Sequence, residues 1–361
     1  PQVLAEGPAV SDRPDFANMS CPMPLMDHET VQLAHGAGGR LSADLIDKLI
    51  VPRFTSPELD LLEDQAVLDL PAGRIAFSTD TFVVSPLFFP GGDIGDLAIN
   101  GTVNDVAMSG AVVHALSVGF VLEEGFSLED FHRILCSMEA AAKAAGVRVV
   151  TGDTKVVGRG NADGVFINTS GIGIIPGGVE LSAASLAAGD VVLLSGTLAD
   201  HGMAVMTVRE GLSFQSSVRS DTAALNGMVR DLVAACPGLK TLRDPTRGGV
   251  ATTLNEFAAA SQVGIKLDGA KVPVKPDVAG ACEILGIDPL YVANEGKLIA
   301  VVPEVEAEAA LAAMKAHPLG ADAVLLGRVV ADHPGTVTLD PGFGAERIVD
   351  MPVGEQLPRI C

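Results

Sequence analysis

Five short segments place acidic side chains beside small residues at the ends of apolar runs. They are EDQAVL (Asp64), STDTF (Asp80), TVNDVAMSGA (Asn104, Asp105), VTGDTKVV (Gly152, Asp153, Thr154, Lys155) and LRDPTRGGV (Asp244, Arg247). Magnesium is a hard cation that takes carboxylate oxygens and keeps water and phosphate as its other ligands. Aspartates scattered along the chain but gathered by the fold would suit a metal–triphosphate site. A single aspartate of this kind is more often a turn or a helix cap, so the signal lies in the recurrence. The glycines of HGAGGR (His35, Gly36, Gly38, Gly39) let backbone N–H groups approach an anion closely. The segment lacks the GK[ST] ending of a Walker loop, and His35 reads equally as a phosphate or substrate contact and as a structural histidine. TRGGV, just before a helical stretch, offers backbone donors at a helix N-terminus.

Three further residues could carry chemistry. Lys155 closes a strand where a solvated lysine would be ordinary. Glu295 sits in YVANEGKL, polar residues lodged between apolar strands. It is a candidate general base with a pKa raised by burial, or the ion-pair partner of Lys297; the sequence leaves both open. The chain ends on PRIC, so Cys361 presents a thiol on the last residue. Fully extended, residues 345–361 reach roughly 50 Å. With two prolines and a glycine after residue 351 and few apolar residues, this stretch reads as a flexible tail able to visit a site.

The elements that must position these groups are readable in outline. Strands are expected at RIAFSTDTFVV, HALSVGFVLE, VRVVTGD, GVFINTSGIGII, KLIAVVP and AVLLGRVV. Helices are expected at LSADLIDKLI, at DIGDLAINGTVNDVAMSGA, at SLEDFHRILCSMEAAAKAAG with Ser127 as cap and Gly146 as stop, and near 202–210, 221–235, 248–262 and 304–316. Mixed order argues for two α+β domains rather than a doubly wound sheet, with boundaries at 31–180 and 181–344, a disordered leader at 1–30 and the tail at 345–361. A length of 361 residues, 48% of them hydrophobic, supports two cores. Lys plus Arg number 24 against 45 Asp plus Glu, a formal charge of −21, which repels a phosphate backbone and excludes nucleic-acid binding as the expectation. No apolar run is long enough for a membrane span. Five dispersed cysteines without a CxxC pair predict neither a disulfide framework nor a zinc site and suit the cytoplasm. Cys136 and Cys282 read as core residues and Cys21 as incidental.

The stretches LAHGAGG, EDQAVLDL, FSTDTFVVSPLFFPGGDIGDLAINGTVNDVAMSGA, VTGDTKVVGRG, SGTLADHGMAV, RDPTRGGV, ANEGKL, HPLGADAVLLG and LPRIC, in that order, resemble the HypE family of hydrogenase maturation proteins from about residue 31 to 361. That family shares a superfamily with aminoimidazole ribonucleotide synthetase, selenophosphate synthetase and thiamine-monophosphate kinase. The resemblance implies a two-domain PurM-like fold: an N-terminal domain that forms a dimeric β-barrel in a homodimer, and a C-terminal α/β sandwich. It implies ATP and Mg2+, with Asp64, Asp105 and Asp244 as metal ligands and Asp80 and Asp153 next in line. It implies that a carbamoyl group on Cys361 is dehydrated to a thiocyanate, whose cyanide goes to the iron of [NiFe] hydrogenase. The partners it implies are the HypF carbamoyltransferase and an iron-carrying HypC–HypD complex. A superfamily kinase or synthetase acting on a free small molecule would share the aspartates without needing Cys361. A thiol-carrying scaffold would need the tail without the nucleotide site.

Overall fold

A computed structural model describes residues 21–63, 65–211, 218–352 and 359–361. Asp64, the first of the metal-ligand candidates, and residues 1–20 of the expected leader lie outside them.

The N-terminal unit wraps a mixed four-stranded sheet around two helices. Its elements are α1 (Arg40–Leu45), β1 (Arg74–Phe82), the short pair β2 (Phe88–Phe89) and β3 (Gly92–Asp93), α2 (Ile94–Ala107), β4 (Val112–Glu123), α3 (Leu128–Ala145), β5 (Arg148–Val157) and β6 (Val165–Ile175). The sheet order is β1-β6-β4-β5, with β5 parallel to β4 and the other pairs antiparallel. Both helices lie against one face. α2 is rich in small residues and buried along almost its whole length, Asp96, Asn100, Thr102 and Asn104 included, because it packs on the sheet and on α3. Asp93 caps α2 by accepting from the N–H groups of Gly95 and Asp96, and Ser127 caps α3 by accepting from the Asp130 N–H. Gly146 ends α3 at φ 68°, a left-handed turn that glycine adopts without strain.

The C-terminal unit is a seven-stranded sheet in the order β13-β12-β9-β11-β7-β10-β8. These strands are β7 (Val191–Leu194), β8 (Thr241–Arg243), β9 (Gly264–Asp268), β10 (Ile299–Val302), β11 (Val324–Val330), β12 (Val337–Asp340) and β13 (Arg347–Ile348). Helices α4 (Asp200–Arg209), α5 (Asn226–Ala235), α6 (Gly249–Ser261), α7 (Pro276–Leu285) and α8 (Ala307–Ala316) surround it. The central strands β7 and β10 are apolar and wholly buried, as strands covered on both faces must be. The helix expected from 221 begins only at Asn226. Before it, Ser220, Asp221, Thr222 and Ala223 form a buried stretch whose backbone and side chains bond to neighbouring loops.

Three sequence expectations need correction. Cys21 is bonded to Cys136 in a disulfide across 115 residues, so neither is incidental nor a plain core residue. The described end of the leader is tied down as well: Thr30 bridges Ser127, and Leu128 N–H donates to Glu29 carbonyl. The tail is anchored at both described ends. Val349 is fully buried and its N–H donates to Val337, while Ile360 is 2% exposed. A few apolar residues suffice because each fills a specific niche; residues 353–358 lie outside the description.

Candidate active site

Four carboxyl groups from four parts of the chain meet in one small cavity. Asp80 comes from β1, Asp105 from the last turn of α2, Asp244 from the turn after β8, and Glu295 from the loop before β10. With Thr79, Gly101, Thr246, Arg247 and Cys361 they line a space of about 160 Å³. Each is placed by an identifiable local cause. Asp80 lies on the same face of β1 as Phe82, which is 1% exposed and packs against α2, so the alternation of the strand turns Asp80 inward. Gly101 of α2 clears this approach, since a Cβ there would sit 2.9 Å from the Phe82 ring. Ser78 donates to Asp105 Oδ2 at 2.9 Å. Gly248 and Gly249, at φ 76° and 61°, turn the chain from Asp244 into α6; a Cβ on Gly249 would meet Leu290 carbonyl at 2.5 Å.

Glu295 is held by its backbone. Its N–H donates to Asp221 Oδ1 at 3.1 Å, and its carbonyl faces Asn104 Nδ2 at 3.4 Å. Asn104 also donates to Ala223 carbonyl and accepts from Leu225 N–H. It therefore fixes the loop that carries Glu295 and does not line the cavity. Lys297 pairs with Asp221 at 3.0 Å, so the ion-pair alternative for Glu295 does not occur. The Glu295 Oε1 atom is buried without a hydrogen-bond partner.

Electrostatics mark the cavity as a place made for a cation. Burial pushes Asp80, Asp105, Asp244 and Glu295 above the usual carboxylate range. The neighbouring carboxyls push further: Asp105 on Asp244, and Asp244 most strongly among the acids on Glu295. Asp244 is raised to about 7. The Arg247 guanidinium opposes this at Asp80 and Asp105. An all-oxygen donor set, crowded like charges and an orphaned buried oxygen fit a hard divalent ion such as magnesium.

Cys361 enters this cavity from its own chain. Val83 N–H donates to the Cys361 carbonyl, and Ser85 N–H to the Arg359 carbonyl, at 3.2 and 3.3 Å. The Arg359 side chain donates to Val83 carbonyl at 3.0 Å and pairs with Asp163. Between these contacts sits His201, fully buried on α4. Its Nε2 lies 2.8 Å from the Ile360 carbonyl and its Nδ1 2.9 Å from Ser220 Oγ. The Ile360 carbonyl can only accept, so in the neutral ring the proton is on Nε2, donated to the tail, and Nδ1 is the acceptor that faces Ser220 Oγ. Burial holds His201 below the usual histidine range, consistent with that neutral ring. Arg209 Nη2 donates to the Arg359 carbonyl at 2.7 Å.

The remaining predicted residues are elsewhere. Asp153 and Lys155 lie on β5, at the opposite edge of the sheet from β1. They pair with each other at 2.7 Å, each two-thirds exposed. Gly152, Asp153 and Thr154 line a larger cavity of about 780 Å³, between β5 and residues 43–63. His35 is 3% exposed and accepts the Gln32 N–H, a capping contact that matches the structural half of its two readings. Gly36 packs on β5, where a Cβ would lie 2.8 Å from Val156. Gly38 N–H is satisfied by Ser42, and Gly39 precedes α1. Sequence reasoning missed Thr79, Thr246 and His201. Thr79 adjoins Asp80 and Thr246 adjoins Arg247, both singled out, and His201 stands inside the SGTLADHGMAV stretch without a role assigned to it.

The chain matches two family models: AIR synthase related protein, N-terminal domain, over residues 62–175, and the C-terminal domain of the same family over residues 187–340. It is 54% identical over 332 residues to the carbamoyl dehydratase HypE of Rhizobium leguminosarum bv. viciae, covering 92% of this chain and 95% of that protein. The crystal structure of a hydrogenase maturation protein HypE in complex with ATP superposes with a TM-score of 0.88 at 48% identity, covering 91% of this chain and 99% of the other. A chain of a HypE–HypF complex superposes with a TM-score of 0.76 at 49% identity, covering 85% and 99%.

Proposed function

Since the chain belongs to the AIR synthase related family, and within it to the HypE carbamoyl dehydratases, we propose that it dehydrates a carbamoyl group carried on its own Cys361, at the cavity of Asp80, Asp105, Asp244 and Glu295. The single observation that carries this reading is that Cys361 lines the acidic cavity. A synthetase acting on a free small molecule has no use for that arrangement, and neither does a thiol scaffold without a nucleotide.

The chemistry explains the parts. In a thiocarbamate, S–C(=O)–NH2, oxygen does not leave readily. Transfer of the ATP γ-phosphoryl to that oxygen, with loss of one N–H proton, gives ADP and S–C(OPO3)=NH. Loss of the second N–H proton as the C–O bond breaks gives S–C≡N and phosphate. Magnesium bound by Asp105 and Asp244, with Asp64, would offset the charge of the triphosphate and bring the carboxyls back toward ionisation. Arg247 adds a cation at the same wall. Glu295, which lines the cavity and has one oxygen without a hydrogen-bond partner, takes the nitrogen protons. His201 holds the penultimate carbonyl and so fixes where the Cys361 sulfur points. A space of about 160 Å³ accommodates the reacting groups, while ligand pockets generally run from about 300 Å³ upward. The nucleotide therefore extends out through the mouth.

Lys155 does not share the cavity, and this supports the expected homodimer. It projects with Asp153 from the sheet face opposite the helices, where Ile75 and Phe77 of β1 are 61% and 68% exposed. Closing that face against a second copy would bury these residues in the dimeric β-barrel and let Lys155 serve the cavity of its neighbour. Loading requires the tail to leave its niche for a HypF-type carbamoyl donor, and delivery requires it to reach an iron-carrying HypC–HypD complex. No helix among the described residues is long and apolar enough to cross a membrane. The test is intact mass spectrometry of carbamoylated protein with and without ATP. Loss of one water, mapped to Cys361 and dependent on ATP, is expected; water loss mapped elsewhere, or none, overturns the reading.

A further inference from the structure

A second cluster of reactive side chains lies at the far side of the N-terminal unit. His132 and Cys136 are one turn apart on α3, so they share a face. Both are 3% exposed. Cys21 approaches that face from the coil before α1 and is joined to Cys136. The three ligand atoms lie within 4.8 Å of one another. Burial keeps the neutral His132 ring below the usual histidine range. In the disulfide form its Nε2 donates to the Cys21 carbonyl at 3.3 Å and its Nδ1 has no partner; withdrawal of Cys21 breaks that bond, and a shift of the ring proton to Nδ1 gives Nε2 the lone pair that a metal needs. Arg53 Nη1 lies 3.1 Å from Cys21 Sγ, where a guanidinium favours a thiolate over a thiol.

We propose that Cys21, His132 and Cys136, with both cysteines reduced, form a binding site for a thiophilic divalent ion of the zinc class, and that the disulfide is the oxidised, metal-free state of the same residues. The geometry supports this. Tetrahedral zinc, with bonds of about 2.3 Å to sulfur and about 2.0 Å to nitrogen, has a sulfur–nitrogen edge of about 3.5 Å and a sulfur–sulfur edge of about 3.8 Å. The His132 Nε2–Cys136 Sγ separation is 3.6 Å, already that edge. Only Cys21 has to withdraw, by about 2 Å, and it belongs to coil rather than to an element. Two residues one helical turn apart plus a third from a separate segment is a common way to build such a site. Three protein ligands leave a fourth position for water or an exchangeable ligand, the pattern of an open rather than a closed zinc site.

The redox step balances with a thiol reductant: the disulfide and two RSH give two cysteine thiols and RSSR. Binding the ion then releases the two thiol protons. Oxidation and metal binding exclude each other, so the ion ties the leader to α3 under reducing conditions and the disulfide does so under oxidising ones.

The experiment uses full-length protein carrying Cys361→Ser, which removes the tail thiol as a competing ligand. Reduced protein is titrated with Co2+, read by visible ligand-field absorption, and then with Zn2+ against a chromophoric chelator. One equivalent bound, with tetrahedral cobalt bands that zinc abolishes, is expected; disulfide-intact protein should bind none. Cys21→Ser, at the edge of the fold, should weaken binding at least 100-fold, and His132→Ala by about 10–100-fold. Failure of the reduced protein to retain one equivalent, or unchanged affinity in Cys21→Ser, overturns the proposal. Neither result touches the reaction at Cys361, which can be assayed separately in protein with the natural tail.

Discussion

The two ends of one sheet treat their acidic residues in opposite ways. At β1, Asp80 is turned inward to meet Asp105, Asp244 and Glu295, and all four are raised by burial. At β5, Asp153 is turned outward and answered at once by Lys155. The strand registers make the reason plain. Asp153 pairs with Gly119, Gly119 with Asn168 and Asn168 with Thr81. Asp153 is thus in the row of Thr81, one residue past Asp80, on the other face and three strand spacings or about 14 Å away. One position of offset separates a crowded, cation-seeking pocket from an ordinary surface ion pair. The inner end is built to hold something; the outer end lies exposed on the open face of the sheet.

The harshest test removes the sulfur proposed to carry the reacting group. Cys361→Ser should abolish ATP-dependent water loss entirely in the mass assay, while leaving ATP binding within a few-fold, because the hydroxyl is not a carbamoyl acceptor of comparable reactivity. Retained water loss would mean that the tail's position in the cavity is incidental. Next in size is Glu295→Gln, which keeps shape and removes the proton acceptor. It should lower the dehydration rate by about 10²–10⁴, with ATP affinity little changed. A rate within a few-fold of the starting protein would leave Glu295 a structural carboxyl.

The outer end is tested by complementation. If Lys155 acts across the dimer, Lys155→Ala and Cys361→Ala chains are each inactive alone. Mixed after subunit exchange, half of the dimers are heterodimers with one intact site apiece, so about a quarter of the activity returns. No recovery would place Lys155 in the cycle of its own chain or outside the reaction. Below this comes the tail clamp. His201→Phe removes the donor to Ile360 and should raise the alkylation rate of the Cys361 thiol several-fold, whereas His201→Gln, which retains an N–H near Nε2, should restore most of the protection. Equal reactivity in all three proteins would show that His201 does not hold the tail.

The sequence displayed the inner end well and the outer end poorly, for physical reasons. Asp80, Asp105, Asp244, Glu295 and Cys361 sit in ordered motifs whose residue types suit one chemistry, so their convergence could be anticipated through family resemblance. Spacing alone could not place them together, since β1 and the turn after β8 belong to different domains. Lys155 was grouped with them by motif, but the face of a strand residue depends on register, and a one-residue change reverses it. His35, flanked by glycines, read equally as a phosphate or substrate contact and as a structural histidine; in the fold its Nδ1 accepts the Gln32 N–H. The Cys21–Cys136 bond was invisible because nothing local announces a pairing across 115 residues. Most helices were legible from caps and periodicity; β12 and β13, at four and two residues, were too short to show.

The smallest expected effect is also the one in which the two ends should differ in sign. In protein stripped of metal and nucleotide, Asp244 is buried beside Asp105 with its pKa raised to about 7. Between the unfolded value near 4 and that folded value, the native state holds a proton that the unfolded chain has released, so stability falls as pH rises through the interval. Asp244→Asn removes both the cost and the slope. It should stabilise the metal-free fold by about 1–3 kcal/mol above pH 7 and flatten the curve of melting temperature against pH. Asp153→Asn, at a two-thirds exposed pair, should change stability by less than about 0.5 kcal/mol and in the destabilising direction. Adding magnesium and nucleotide should then stabilise the starting protein and leave Asp244→Asn nearly unmoved. Thermal melts across pH, with and without the two ligands, measure all of this. Destabilisation by Asp244→Asn in the stripped protein would mean that the pocket's acids are satisfied within the fold and await no cation.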